Sequence, residues 1–347
     1  WRALIEGGIF EFMHRIILTD IKPPIYHELM RVHGRKLNAW IYSQLERCVP
    51  ELDEVFFDKL KRWFDYPEEN RLEKKLLRAA HYLATQWEFG IIYHFNQAIY
   101  GIDATKAAIE SNIEDHYDLA GVQKISLKGK TSKFIDLVGQ LRFQKRWAQS
   151  PRVPETSVMG HVLIVAILGY FCAAELGACD ERIVNDFLCG LFHDLPEVLT
   201  RDIISPVKTS VEGLDDLIKD IEKRQVAEKL LPLLPWGWHE EIIYFTQNEF
   251  TNRVMLDGVP TEVSEEELNG KYNVDGHGYK AVDGRMLKGC DHLAAFVEAY
   301  LSTEYGITSK HLLNGMADLR EKYKNKTIAG INFGAVYDEF PELKTNL

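Results

Sequence analysis

The sequence predicts an all-α protein: a helical bundle preceded by a helical extension and interrupted by one small inserted β-hairpin or flap. Three observations carry this. Apolar residues return at three- and four-residue steps through most of the chain, the spacing of helices that bury one face. Gly- and Pro-containing breaks separate these stretches. One segment, 252–284, departs from the pattern and turns to Gly, acidic residues and β-formers such as Arg253-Val-Met-Leu256 and Tyr279-Lys-Ala-Val282. At 347 residues the chain is long enough for two domains.

Residues 1–12 are apolar around a Gly pair and read as strand or loop. From Pro24 to Leu45 the pattern is helical, with Tyr26, Leu29, Met30, Leu37, Trp40, Ile41 and Leu45 on the spacing, and it repeats over 51–64, 69–100 and 105–117. His81 and His94, in the 69–100 stretch, have no Asp directly after them, so they read as core histidines of the extension. Basic, Gly-containing 121–131 reads as a linker or loop. The second half opens with a helical pattern over 133–147 that ends in Arg142, Lys145 and Arg146. Pro151 and Pro154 then impose a loop. A strongly apolar helix from His161 stops near Gly177, and Asp180 starts another that carries the chain to His193. These two are expected side by side, with an irregular turn after them to Pro206. The charged stretch 211–234 reads as an amphipathic helix with a solvated face. A further helix follows to about Glu249, then the inserted hairpin, then helices over 286–303 and 309–324. The expected division is therefore 1–130, a helical extension of no assignable role; 131–325, the bundle with its insertion at about 252–284; and 326–347, a tail.

Composition bounds the function. Hydrophobic content of 46% and charged content of 27% are ordinary for a globular chain. A formal net charge of −11 argues against an extended nucleic-acid surface, which needs clustered Lys and Arg, but not against binding one small phosphate. Five cysteines without paired spacing give no disulfide framework, and a reducing cytoplasm fits. No run is expected to reach the length of a membrane span, and no secretory signal is visible.

The chemistry concentrates in Leu191-Phe-His-Asp-Leu-Pro-Glu-Val-Leu-Thr-Arg-Asp202, continued to Pro206-Val-Lys208. A lone His-Asp pair reads more readily as a helix C-terminus with a capping His and a solvated Asp. Here His193 and Asp194 are followed by Glu197 one helical step on, and two further single residues keep them company: His161 at the start of one apolar helix and Asp291 at the start of another. Taken singly, His161 is a polar residue at a helix N-terminus and Asp291 a cap. Together they supply two imidazoles and two carboxylates from three helices, a ligand set for a borderline or hard divalent ion with positions left for water.

This ordered H…HD…D pattern resembles the HD-domain metal-dependent phosphohydrolases, and within them the bacterial 5'-deoxynucleotidase branch. The likeness extends to the pair Arg146-Trp147, with Trp147 fourteen residues before His161, and to the block His193-Asp194-x-x-Glu197-Val-Leu-Thr200-x-Asp202-x-x-x-Pro206-Val-Lys208. It covers roughly Leu141 to Tyr300. The residue before the first His, Glu in that branch, is Gly160 here.

The resemblance implies an HD-domain helical bundle in which His161, His193, Asp194 and Asp291 hold one divalent ion (Co, Mn, Ni, Zn or Fe). Affinity order alone does not choose among these metals. A second ion is not expected, because His239 and His277 are the histidines between the HD pair and Asp291, and neither sits in a motif. The implied reaction hydrolyses a nucleoside 5'-monophosphate, a deoxyribonucleotide by the branch, through water activated at the ion. Glu197 handles the proton. Arg146 grips a phosphate or sugar oxygen as a fork, Trp147 forms an apolar wall or packs in the core, and Lys208 offsets phosphate charge. Asp202 accepts a hydrogen bond from a sugar hydroxyl or caps the turn. Two rival readings stay open: an HD-type phosphodiesterase or pyrophosphohydrolase of a signalling nucleotide, and a nucleotide-sensing regulatory module. Homodimers are common among relatives, and the apolar N-terminal helices offer a surface for one.

Overall fold

The computed structural model describes residues 1–19, 21–201, 203 and 211–343. The chain forms two compact units, Trp1–Ser126 and the remainder from Leu127 onward.

The first unit is helical throughout: α1 (Arg2–Leu18), α2 (Pro23–Cys48), α3 (Glu54–Asp65), α4 (Arg71–Phe95), α5 (Ile102–Glu114) and α6 (Ala120–Ser126). Residues 1–12, expected as strand or loop, are thus part of a helix. The Gly pair is there for packing: a Cβ on Gly7 would fall 2.3 Å from the Trp63 ring, so the helix of Trp63 approaches α1 where only glycine fits. Ile5, Ile9, Phe10 and Leu18 fill the face around it. Asp53 starts α3 by accepting the Phe56 N–H at 2.8 Å, which satisfies one of the free donors of the first turn. Residues 121–131, expected as a loop, hold the end of α6. The expected core histidines are a second correction, since His81 and His94 are both exposed. The buried imidazoles are His14, stacked on Phe64 at 4.2 Å between centroids, and His116.

In the second unit α7 (Lys130–Gly139) runs into a single 3-10 turn, Gln140–Arg142. The chain then crosses as an irregular strap to Ser157, tied by a bridge between Lys145 and Ser157. Arg146 and Trp147 therefore sit on this strap and not at a helix end. Ser157 caps α8 (Val158–Glu175) by accepting the Gly160 N–H at 3.1 Å. Gly177, at φ +64°, turns the chain into α9 (Asp180–Phe192). As expected, α8 and α9 lie side by side. A Cβ on Gly190 would meet Ala166 Cα at 2.9 Å, so backbone rests on backbone at the crossing.

After α10 (Glu197–Thr200) come α11 (Leu214–Gln225), a π-turn over Val226–Leu230, short 3-10 turns and α12 (His239–Thr246). The insertion is an antiparallel hairpin, β1 (Arg253–Leu256) with β2 (Val259–Glu262), in the register Arg253↔Glu262 to Leu256↔Val259. Asp257 and Gly258 both have positive φ, 49° and 79°, which suits a two-residue turn and makes the nearest segment the partner. The other β-forming stretch, 279–282, runs along the other edge of β1, bridging through Arg253 and Val282. A short α13 (Glu265–Asn269) carries a capping box of Ser264 and Glu267. The long α14 (Gly284–Glu304) and α15 (Lys310–Tyr323) follow. The expected tail is also structured in part: a small hairpin (β3, Thr327–Ile328; β4, Ile331–Asn332) leads to α16 (Phe333–Asp338). Phe333 fills the space over Gly289.

The centre of the bundle is α8, with α9 and α14 packed along it. Its 18 residues are long and apolar enough to cross a membrane by length and composition, contrary to the expectation that no run reaches that length. Here Val158, Val162, Val165, Ala166 and Tyr170 are buried against the neighbouring helices.

Candidate metal centre

Three local features deliver the ligand-type side chains. His161 is one turn into α8 and wholly buried. His193 ends α9, where its Nδ1 lies 2.8 Å from the Gly190 carbonyl. That oxygen can only accept, so a proton sits on Nδ1 and Nε2 is the nitrogen turned inward. Asp194 follows outside the helix, which frees its side chain to point the same way as its neighbour's. Asp291 lies in the second turn of α14.

These side chains converge. One ligand atom from each of His161, His193 and Asp194 lies within 4.8 Å of the others. Asp291 Oδ1 is 3.1 Å from His161 Nε2, and Asp194 Oδ2 is 3.2 Å from His193 Nε2. The latter contact is too poorly angled for a hydrogen bond, so His193 Nε2 is a buried nitrogen without one. Two buried imidazole nitrogens and the Asp194 carboxylate within 4.8 Å of one another, with the Asp291 carboxylate against His161, form a donor set that fits a divalent cation.

Without a cation the groups hold each other's charge. Burial pulls the His161 imidazolium down and Arg146 adds to this. The hydrogen bonds to Asp291 and Glu298 outweigh both and leave it raised to about 9. Burial likewise opposes the charge of Asp194, yet His193, Arg146 and His161 hold its carboxyl well below the usual carboxylate range. For Asp291 the burial cost is overcome by His161, Lys288 and His193. Both carboxylates thus stay ionised at neutral pH, the form a metal requires.

Of the other expected site residues, Arg146 reaches in from the strap, its Nη1 3.9 Å from Asp194 Oδ2. Trp147 is beside it at φ +56°, its indole N–H donating to Glu298 Oε2 at 3.0 Å. Glu197 lies one turn after Asp194, its N–H donating to the Asp194 carbonyl at 3.0 Å. It lines a cleft of about 260 Å³ together with His193, Asp194, Lys219, Lys223 and Phe250. The α11 face that reads as solvated therefore walls this cleft. Asp202, Lys208 and Pro206 lie outside the described residues. His239 and His277 are not in the cluster: the first bonds the Leu234 carbonyl at 3.3 Å and the second stacks on Tyr279. Asp291's neighbour His292 turns away to Tyr323, 2.6 Å from its hydroxyl. A Cβ on Gly160 would meet Ser157 Oγ at 3.5 Å, an ordinary contact, so packing does not demand glycine there.

Two polar residues of the site were not foreseen. Lys288 donates to Asp291 Oδ2 at 2.8 Å and rides over the Phe250 ring at 4.0 Å from its centroid. Glu298 lies 3.0 Å from His161 Nδ1. Both are on the Asp291 face of α14, three residues before and seven after it, so helical periodicity was a signal that could have found them.

Comparison with known proteins bears on this geometry. A family model described as HD domain matches residues 138–320, just over half of the chain. A 5'-deoxynucleotidase of Photobacterium profundum is 29% identical over 116 residues, covering 32% of this chain and 58% of that protein. A 5'-deoxynucleotidase of Salmonella typhi is 31% identical over 119 residues, covering 32% and 57%. One from Vibrio atlanticus is 26% identical over 127 residues, covering 36% and 65%. The chain thus spans about three-fifths of the length of these curated relatives. A crystal structure of an HD-domain phosphohydrolase from Listeria innocua aligns over 60% of this chain and 82% of its own, with TM-score 0.41 and 13% identity.

Proposed function

The chain belongs to the HD-domain family, and from that premise we propose that it is a metal-dependent phosphomonoesterase. Its substrates are nucleoside 5'-monophosphates, deoxyribonucleotides in particular, cleaved to nucleoside and phosphate. The observation that carries the reading is the meeting of His161, His193, Asp194 and Asp291 with a guanidinium, Arg146, at their rim.

His161, His193, Asp194 and Asp291 would hold the ion, which when bound supplies Lewis-acid polarisation of a phosphate oxygen and acidifies a water. Arg146 is placed to bind the phosphate as a fork and to orient it toward the cluster. Trp147, held by its indole N–H, gives the strap a rigid apolar side against the substrate. Glu197, in the same cleft as Asp194, takes the proton of the attacking water on its carboxylate and returns it to the leaving 5'-oxygen. Lys288 adds a second positive charge beside Asp291. The sugar contact of Asp202 and the phosphate contact of Lys208 belong to the same reading, on the likeness to the 5'-deoxynucleotidases named above.

The test is a panel of 5'-deoxyribonucleoside and 5'-ribonucleoside monophosphates and a phosphodiester. Each is assayed for free phosphate after chelator stripping and re-addition of Mn, Co, Ni, Zn or Fe(II). Phosphate release from 5'-monoesters that depends on re-added metal is expected. Diester cleavage without monoester hydrolysis would move the chain to the phosphodiesterase reading. Tight metal binding with no hydrolysis of either class would favour a nucleotide-sensing module.

A further inference from the structure

We propose that Glu298 is a positioning residue that holds the two sides of the site in register, the His161 imidazole through one carboxylate oxygen and the Arg146–Trp147 strap through the other. This rests on the metal-centre reading above.

Glu298 is buried, seven residues after Asp291 on α14. Seven residues bring an α-helix within about 20° of two full turns, so the two carboxylates share one face. They bracket a single imidazole: Asp291 Oδ1 is 3.1 Å from His161 Nε2, and Glu298 Oε1 is 3.0 Å from His161 Nδ1. An ionised carboxylate only accepts, so Glu298 fixes the proton on Nδ1. Nε2 is then the nitrogen left facing the ligand cluster, 3.1 Å from Asp291 Oδ1. This is the carboxylate–histidine arrangement that sets tautomer and ring plane at metal sites.

The other oxygen does different work. Glu298 Oε2 accepts the indole N–H of Trp147 at 3.0 Å, and its backbone carbonyl accepts Arg152 Nη1 at 2.9 Å. Val153 N–H donates to Ser302 Oγ one turn further along α14, at 3.2 Å. The strap that carries Arg146 is thereby pinned to the helix that carries Asp291. Trp147 keeps a left-handed backbone, φ +56°, which a bulky residue adopts only when its surroundings hold it. On its far side the ring edge packs against Gly315, where a Cβ would come within 2.9 Å.

Both side-chain partners of Glu298 are donors, and an indole can be nothing else. A glutamine at 298 has one acceptor and one donor end, so it can satisfy His161 in its present tautomer or Trp147, but not both. Glu298→Gln is therefore nearly isosteric and still disruptive, which a space-filling role would not produce.

The experiment compares stripped wild type, Glu298→Gln and Trp147→Phe by Co²⁺ and Mn²⁺ affinity in chelator competition, and records ¹⁵N spectra of His161 in the Zn²⁺-loaded wild type. Glu298→Gln should bind metal roughly 10–100-fold more weakly, while Trp147→Phe, which leaves the carboxylate on His161, should change affinity by less than about threefold. The wild-type spectrum should show His161 protonated at Nδ1 and metal-bound at Nε2. Unchanged metal affinity in Glu298→Gln, or an Nδ1-bound metal in the wild type, overturns the assignment. The spectrum decides even if Glu298→Gln does not fold. A wild type that takes up none of these ions would remove the metal-centre premise and the assignment with it, a result distinguishable from either of the others.

Discussion

Replacing Arg182 by alanine should unfold the second unit at markedly lower temperature. Arg182 is wholly buried on α9, the helix that ends at His193. It forms a two-point pair with Asp283, Nε to Oδ2 at 2.5 Å and Nη2 to Oδ1 at 2.7 Å. It also donates to the Leu268 carbonyl at 3.1 Å and to Asn269 Oδ1 at 2.8 Å. These four bonds fasten the inserted flap and the start of α14 to α9. Removing the guanidinium leaves Asp283, also fully buried, without its counter-charge, and breaking one side of a buried pair costs about 3–5 kcal/mol. For a unit of this size each kcal/mol lowers Tm by about 2–4 °C, so a drop of about 6–20 °C is expected by calorimetry of the metal-free protein. The double replacement Arg182→Met with Asp283→Leu should recover much of that loss, because no charge is then stranded. A loss below about 1 kcal/mol for Arg182→Ala, the range of exposed pairs, or strict additivity in the double variant, would refute the reasoning.

Three further outcomes follow from the packing and the charges. Gly190→Ala would push a methyl into the Ala166 backbone at 2.9 Å; it should cost about 1–3 kcal/mol and weaken metal uptake by spreading His161 from His193, now 5.9 Å apart between ring centroids. Metal affinity equal to wild type would show that the α8–α9 crossing does not set the cluster. Burial, and then the charge of Asp283, raise the Asp186 carboxyl well above its ordinary value, with Arg182 opposing. The stability its protonated form contributes is complete below the unfolded value and is lost as pH rises through the folded one. Asp186→Asn should therefore gain on wild type in urea unfolding as pH is raised from about 4, and a difference that is flat with pH would contradict this. Arg146→Ala should lower kcat/KM on 5'-monophosphates by about 10–150-fold, the worth of a charged hydrogen bond of about 1.5–3 kcal/mol, as steady-state kinetics would show; an unchanged value would take Arg146 out of phosphate binding.

What the sequence by itself determined is what short spacings encode. Most helices of the second unit, Gly177 as stop, a hairpin within 252–284 and the ligand types of His161, His193, Asp194 and Asp291 were legible, because periodicity and local ligand types survive without knowing the fold. Tertiary structure alone decided the rest. α1 looked like strand or loop because its Gly pair signals a break locally, whereas its reason is the Trp63 ring at 2.3 Å from a would-be Cβ. His81 and His94 looked internal because their helix is aromatic-rich, yet which face of that helix is covered depends on what packs there. That β1 is flanked on both edges, by β2 through a two-residue turn and by the distant 279–282, was settled only by the fold. Arg146 and Trp147 left their expected helix because the strap bonds to Ser157 and to α14. Glu298 meets His161 across 137 residues of chain, and a contact of that span exists only once α8 and α14 have buried their apolar faces against each other.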